Sequence, residues 1–170
     1  MRIERRHAQP NRWTFTIPPI AALIAEEGVN GDWVDPFAGM HSPAGTTNDI
    51  NPEMPVGHHG DALEFLCDLP AAEFVGAIYD PPYSYCQAVE CYGERKLPKN
   101  YTTFEYWALC RNELARVIRP GGTAICCGWN SVGLGKSRGF RMDRVLLVPH
   151  GGGRNDTIVT VETKIPGRLL

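Results

Sequence analysis

The residues of this chain best suited to chemistry are one rigid loop and a set of aspartates. Asp80 is followed by Pro81, Pro82 and Tyr83. The two prolines fix φ and stiffen the loop, so the Asp80 carboxylate and the Pro81 carbonyl are held in place as acceptors. That arrangement suits an amino group carried on an aromatic ring. Such a nitrogen is a poor nucleophile because its lone pair is delocalised into the ring. Acceptors for its two N–H bonds favour a more tetrahedral, more reactive nitrogen. Tyr83 adds a flat face on which a base drawn out of its stack can lie. No covalent nucleophile is required. Upstream stand Asp35-Pro36-Phe37-Ala38-Gly39, Asp49 and Asp61, each close behind a short structured unit.

The elements that must position these groups are legible from Gly and Pro punctuation. Residues 17–27 read as a helix, with Pro18 and Pro19 in the first turn and Ile20, Leu23 and Ile24 on one face; Gly28 ends it. Residues 32–35 and 46–50 read as short strands, 62–69 as a helix and 74–79 as a buried central strand. Thr102-x-x-Glu105 has the form of a capping box. It opens a helix with Trp107, Cys110, Leu114, Val117 and Ile118 on its stripe, stopped by Arg119-Pro120-Gly121-Gly122. Residues 123–128 read as another buried strand, and 144–148 with 157–163 as an antiparallel pair. Strands alternating with helices and ending in a hairpin define a three-layer α/β sheet with an antiparallel edge. In such a sheet ligands sit beyond the carboxyl ends of the strands. The reading therefore places Asp35, Asp49, Asp61 and Asp80 on one rim.

Composition narrows the classes. A chain of 170 residues with 43% apolar content supports one domain with a real core. A net charge of -2 and a pI near 6.2 confine any nucleic-acid contact to local patches. Cys67, Cys86, Cys91, Cys110, Cys126 and Cys127 include no C-x-x-C pair. They read as buried thiols of a reducing compartment. A zinc site from Cys86, Cys91 and His58 or His59 lacks paired ligand spacing, so no metal is expected. With neither a span-length apolar run nor a charged-then-apolar leader, the expectation is a cytoplasmic protein without membrane contact.

Taken together, Asp35-Pro-Phe-Ala-Gly39, Asp49, Asp61 and Asp80-Pro-Pro-Tyr83-Ser84, in that order, resemble the class I S-adenosylmethionine-dependent methyltransferases that modify exocyclic amines of nucleic-acid bases. The likeness runs from Phe15 to Lys164 and includes the Arg119-Pro-Gly-Gly122 turn. The run DPPYS-x-x-Q, with GWNS, GKSRGF, HGGGRNDTI and VETK, resembles small stand-alone adenine-specific DNA methylases of phages and prophages. The resemblance implies a Rossmann-like class I fold, mostly parallel with a C-terminal antiparallel hairpin, and S-adenosylmethionine as cofactor. It implies that Asp80, Pro81, Pro82 and Tyr83 are catalytic. It assigns the cofactor to Phe15, Ile17, Asp35, Pro36, Phe37, Ala38, Gly39, Asp49, Asp61 and Ala62. Asp80 favours adenine over cytosine, whose branch carries Ser-Pro-Pro-Tyr.

Two departures from the family stand out. The segment 40–48 is too short for the helix usually found after the glycine, and no separate target-recognition domain fits. Recognition then falls to loops or to a second copy of the chain in a homodimer. The candidates for DNA contact are Ser84 and Gln87 in the segment 84–100, which also holds Arg95, Lys96 and Lys99, and Trp129, Asn130, Lys136, Arg138 and Arg141 in 128–144. His41 and His150 are placed near the rim. Two other readings stand beside the DNA enzyme: an RNA methyltransferase acting on adenine N6 or guanine N2, and a catalytically silent partner subunit that binds cofactor or nucleic acid.

Overall fold

The computed structural model describes residues 1–93, 97 and 103–167. Its seven strands are β1 (Arg2–Arg5), β2 (Trp33–Asp35), β3 (Thr46–Thr47), β4 (Phe74–Tyr79), β5 (Ile118–Gly128), β6 (Phe140–Val148) and β7 (Thr157–Lys164). They form one sheet in the order β1-β6-β7-β5-β4-β2-β3. Only β7 runs against its neighbours: β2, β3, β4 and β5 are mutually parallel, β6 and β7 form the expected antiparallel pair, and β1 lies parallel to β6. The carboxyl ends of the parallel strands therefore share one rim.

Helices cover both faces. On one side α1 (Pro18–Glu26) buries Ile20, Leu23 and Ile24, the stripe its spacing demands. It packs over Trp33, Ile78, Ile125, Leu146, Val148, Val159 and Val161. On the other side α2 (Ala62–Asp68) and α4 (Phe104–Val117) cover Val34, Ala77, Tyr79, Ala124 and Cys126. Successive strand residues point to opposite faces, so the adjacent Cys126 and Cys127 belong to different layers.

Several boundaries differ from the sequence reading, each for a local reason. Arg119-Pro120-Gly121-Gly122 does not merely stop α4; it is a bulge inside β5, since Phe74 pairs with Ile118 and Gly76 already with Thr123. A Cβ on Gly122 would lie 2.6 Å from the Val75 carbonyl oxygen, which explains the glycine. The second strand keeps only Thr46–Thr47; beyond it a single parallel bridge joins Asn48 to His58. Asp61 accordingly ends no strand. It caps α2, accepting from the backbone N–H groups of Leu63 and Glu64, each at 3.0 Å. Thr103 caps α4 by accepting from Tyr106 N–H at 3.2 Å, while Thr102, like Arg95, Lys96 and Lys99, lies outside the described residues.

One α-helix and one strand had no counterpart in the sequence reading. One is α3 (Tyr85–Tyr92), inside the expected recognition loop and capped by Ser84. The other is β1, whose pairing continues as Arg6 N–H donates to Leu147 O and Ala8 N–H to Pro149 O. Through it the segment that follows is drawn across the rim. Cys67, Cys86 and Cys91 are exposed, so only Cys110, Cys126 and Cys127 are the buried thiols expected. Among the described residues no helix is long and apolar enough to cross a membrane.

Candidate active site

The loop after β2 is built around buried carboxylates. Asp35 is 0% exposed; one oxygen accepts from Phe37 N–H at 3.0 Å and the other from the Ser42 hydroxyl at 2.6 Å. Asp49 accepts from Gly39 N–H at 3.0 Å and Asn51 N–H at 2.8 Å. Asn48 ties the loop to the segment before α2, donating to the carbonyls of Pro36 and Gly60. No helix follows Gly39; residues 40–45 turn back, and a Cβ on Gly45 would stand 2.2 Å from the Gly31 carbonyl oxygen. Backbone thus packs on backbone here, and the segment too short for a helix forms a turn.

Burial sets the electrostatics. It pushes the Asp35 carboxyl up to about 7, against its hydrogen bonds and with help from the charges of Asp80 and Asp49. Asp49 and Asp80 are raised by burial as well. Burial thus favours the protonated form of each of these carboxyls, and of the three only Asp80 faces the cleft.

The Asp80–Tyr83 loop leaves the end of β4. The Tyr83 hydroxyl donates to Asp80 Oδ1 at 2.5 Å, and Thr14 also bonds to the Asp80 carboxylate. Gln87 Oε1 accepts from Tyr83 N–H at 2.7 Å, so Gln87 braces the loop from within α3. Tyr83 meets Trp129 edge to face, with ring centroids 5.7 Å apart. In this state the Tyr83 ring is held between Asp80 and Trp129 and its hydroxyl is engaged.

Two cavities flank this loop and share Pro81, Pro82 and Tyr83. The first, of about 100 Å³, is lined by Arg12–Phe15, Phe37–His41, Asp80, Gln87 and Cys91. The second, of about 440 Å³, lies towards β5 and is walled by Tyr79, Phe104, Trp107, Arg111, Cys127, Trp129 and Asn130. Its mouth carries large exposed apolar side chains: Phe104 is 95% exposed, Val132 58% and Trp129 43%. An open groove past Arg12, Ser84, Glu90 and Arg154 adjoins it at Trp129.

The expected site residues divide accordingly. Phe15, Phe37, Ala38, Gly39 and Asp80 line the first cavity, as does His41; Trp129 and Asn130 line the second. Ile17 and Ala62 are core residues. Asp35, Pro36 and Asp49 lie under the loop and line neither cavity. The Asp61 carboxylate is spent on its helix cap and on the Tyr106 hydroxyl at 2.7 Å. The four-carboxylate rim is thus one lining carboxylate, Asp80, above two buried ones. Arg138 is turned inward, donating to Asn112 Oδ1, Leu134 O and Ala108 O. Arg141 is exposed on β6 and paired with Asp143 at 2.7 Å. Lys136 is exposed on the neighbouring 3-10 turn. His150 bonds Ala8 O and the Thr157 hydroxyl, joining the hairpin loop to the N-terminal segment. Trp13, Thr14, Phe104, Trp107 and Arg111 are site residues that the sequence did not single out. No motif marked them, and Trp107 fitted a core stripe.

No family model matches the sequence, and no curated protein matches it. Solved structures match the fold. TrmN from Thermus thermophilus superposes with a TM-score of 0.58 at 16% identity over 88% of this chain, which spans 49% of TrmN. The Burkholderia thailandensis 1,6-didemethyltoxoflavin-N1-methyltransferase, solved with its substrate and S-adenosylhomocysteine, gives 0.57 at 16% identity, covering 87% of this chain and 77% of that one. The N-methyltransferase NodS from Bradyrhizobium japonicum, in complex with S-adenosylhomocysteine, gives 0.55 at 9% identity, covering 86% and 84%. Sheet order, layers and these likenesses together define the Rossmann-like class I methyltransferase fold.

Proposed function

We propose that this chain methylates the exocyclic N6 amine of adenine in DNA, with S-adenosylmethionine as methyl donor. The observation that carries the reading is the shared wall: Pro81, Pro82 and Tyr83 line both cavities, so a donor on one side and an acceptor on the other would meet across them, next to Asp80, which lines the first.

The first cavity, of about 100 Å³, suits the methionine end of the cofactor. Phe15, Phe37 and Met40 give it apolar walls, and Gly39, with φ +54, and Asp80 line it beside them. When bound, the cofactor supplies an electrophilic methyl group. The chain's residues do the rest. Asp80 and the Pro81 carbonyl accept the amine's N–H bonds and aim its lone pair, Gln87 and the prolines hold those acceptors still, and the released proton passes to water. The second cavity offers aromatic walls to an extruded base, and Arg12 and Arg154 along the groove offer cations to its backbone.

The test is a titration with labelled S-adenosylmethionine, followed by methyl transfer to duplex DNA, single-stranded DNA and RNA. The expected result is tight cofactor binding and label on adenine N6 of DNA. Label on RNA alone would replace the substrate. Binding without transfer to any polymer would leave the silent-subunit reading in its place.

A further inference from the structure

The second cavity contains a cation that the chemistry above does not use. Arg111 projects from α4 and lines the cavity with Tyr79, Trp107 and Cys127. Among the described residues its buried Nε has no hydrogen-bond partner, and no ion pair includes it. Its surroundings make that unusual. Arg138 nearby has three protein acceptors. The buried Glu162 spends both oxygens on the N–H groups of Leu134 at 2.6 Å and Gly135 at 3.1 Å. A buried guanidinium donor left unmade costs free energy until something supplies an acceptor.

We propose that Arg111 donates a hydrogen bond to a ring nitrogen of the substrate base and is a specificity-determining residue; this rests on the base-methylation reading. The lining selects the occupant. Tyr79, Tyr83, Phe104, Trp107 and Trp129 wall the cavity with flat rings, which suits a planar heterocycle and not a tetrahedral phosphate. A base in this cavity with its amine against Pro81, next to Asp80, turns the ring positions that flank the amine along the cavity walls. Adenine carries acceptors at N1 and N7 on either side of that amine. A base able to satisfy Asp80 but lacking the acceptor would leave Arg111 unpaired and be rejected.

The experiment uses the full chain, 15N-labelled and saturated with S-adenosylhomocysteine. Arginine Nε–H and tryptophan indole N–H signals are followed by NMR during titration with adenosine, 1-deazaadenosine, 7-deazaadenosine and inorganic phosphate. Arg111→Met identifies the Arg111 signal. The expected result is a shift of that signal with adenosine, and binding weaker by about tenfold or more for one deaza analogue. That difference should vanish in Arg111→Met; if the variant does not fold, the analogue comparison on the wild-type chain decides. Indole shifts with an unmoved Arg111 signal and equal affinity for all three nucleosides would overturn the assignment while leaving the base cavity standing. A response to phosphate with no discrimination among nucleosides would make Arg111 an anion contact and also overturn it. No response to any nucleoside would refute the base-binding reading itself.

Discussion

Asp35 gives the sharpest energetic test of how the cleft is built. Its carboxyl is pushed from an ordinary 3.8 to about 7, with burial as the largest cause. Because the folded-state value is raised, the folded state holds its proton over a range where the unfolded chain has lost it. The associated stability is fully present below about pH 4 and is lost as the pH rises to about 7. A displacement of this size corresponds to about 4 kcal/mol between the ends of that window, a large share of the stability of an ordinary domain. The perturbation is Asp35→Asn, which keeps the shape and can still accept from Phe37 N–H while losing the charge. Urea denaturation of wild type and variant should be measured from pH 4 to pH 8. The stabilities should be close at the acid end, and the variant should gain on the wild type by up to about 4 kcal/mol at the alkaline end. Taking the difference cancels the contribution of Glu162 and the burial of Asp49 and Asp80, which are raised as well, and leaves only their charge coupling to Asp35, a smaller cause than its burial. Two parallel curves across the whole range would refute the claim that this carboxyl is protonated by its burial.

Asp80→Ala should lower the methyl-transfer rate by about a hundredfold or more, while calorimetry still registers cofactor binding. Tyr83→Phe removes a donor that holds the Asp80 carboxyl down against its burial. The acid limb of the pH–rate profile should therefore move to higher pH; an unmoved limb would mean that Asp80 is not the group titrating. Gly133 has φ +59, and a Cβ there would lie 2.2 Å from Glu162 Oε2. Gly133→Ala should cost about 1–3 kcal/mol in denaturant unfolding and should weaken substrate affinity through the Trp129–Gly133 wall.

How much of this was legible beforehand follows from which forces are local. The α1 stripe of Ile20, Leu23 and Ile24, the buried run of β4 and the 149–156 loop between β6 and β7 all report periodicity and punctuation, and all appear where they were placed. Asp80–Tyr83 was visible because its stiffness is written in its two prolines. Asp61 opens α2, in line with the helix read at 62–69, but at the strand end it was also assigned to there is only a single bridge, Asn48 with His58. Strand β1 was missed since Arg2-Ile3-Glu4-Arg5 is short and polar. Its pairing depends on Arg144, which binds Glu4, Glu26 and Glu27 from a remote part of the sequence. Arg111 and Phe104 were missed because only the tertiary fold turns one face of α4 toward the Pro81–Pro82 loop.

The position of β1 has a consequence for the order of assembly. Arg2–Arg5 find their partners in Arg144–Leu147, and β6 in turn is held by β7. The first strand therefore waits for the last two. Only afterwards can Arg12–Phe15 be laid across the rim to complete the wall of the first cavity. Contacts so far apart in sequence are slow to form, and on a growing polypeptide they form after nearly all of it has emerged. The Arg12–Phe15 wall is thus the final part of the first cavity to be made, and a chain interrupted before Phe140 would lack the strand that anchors it.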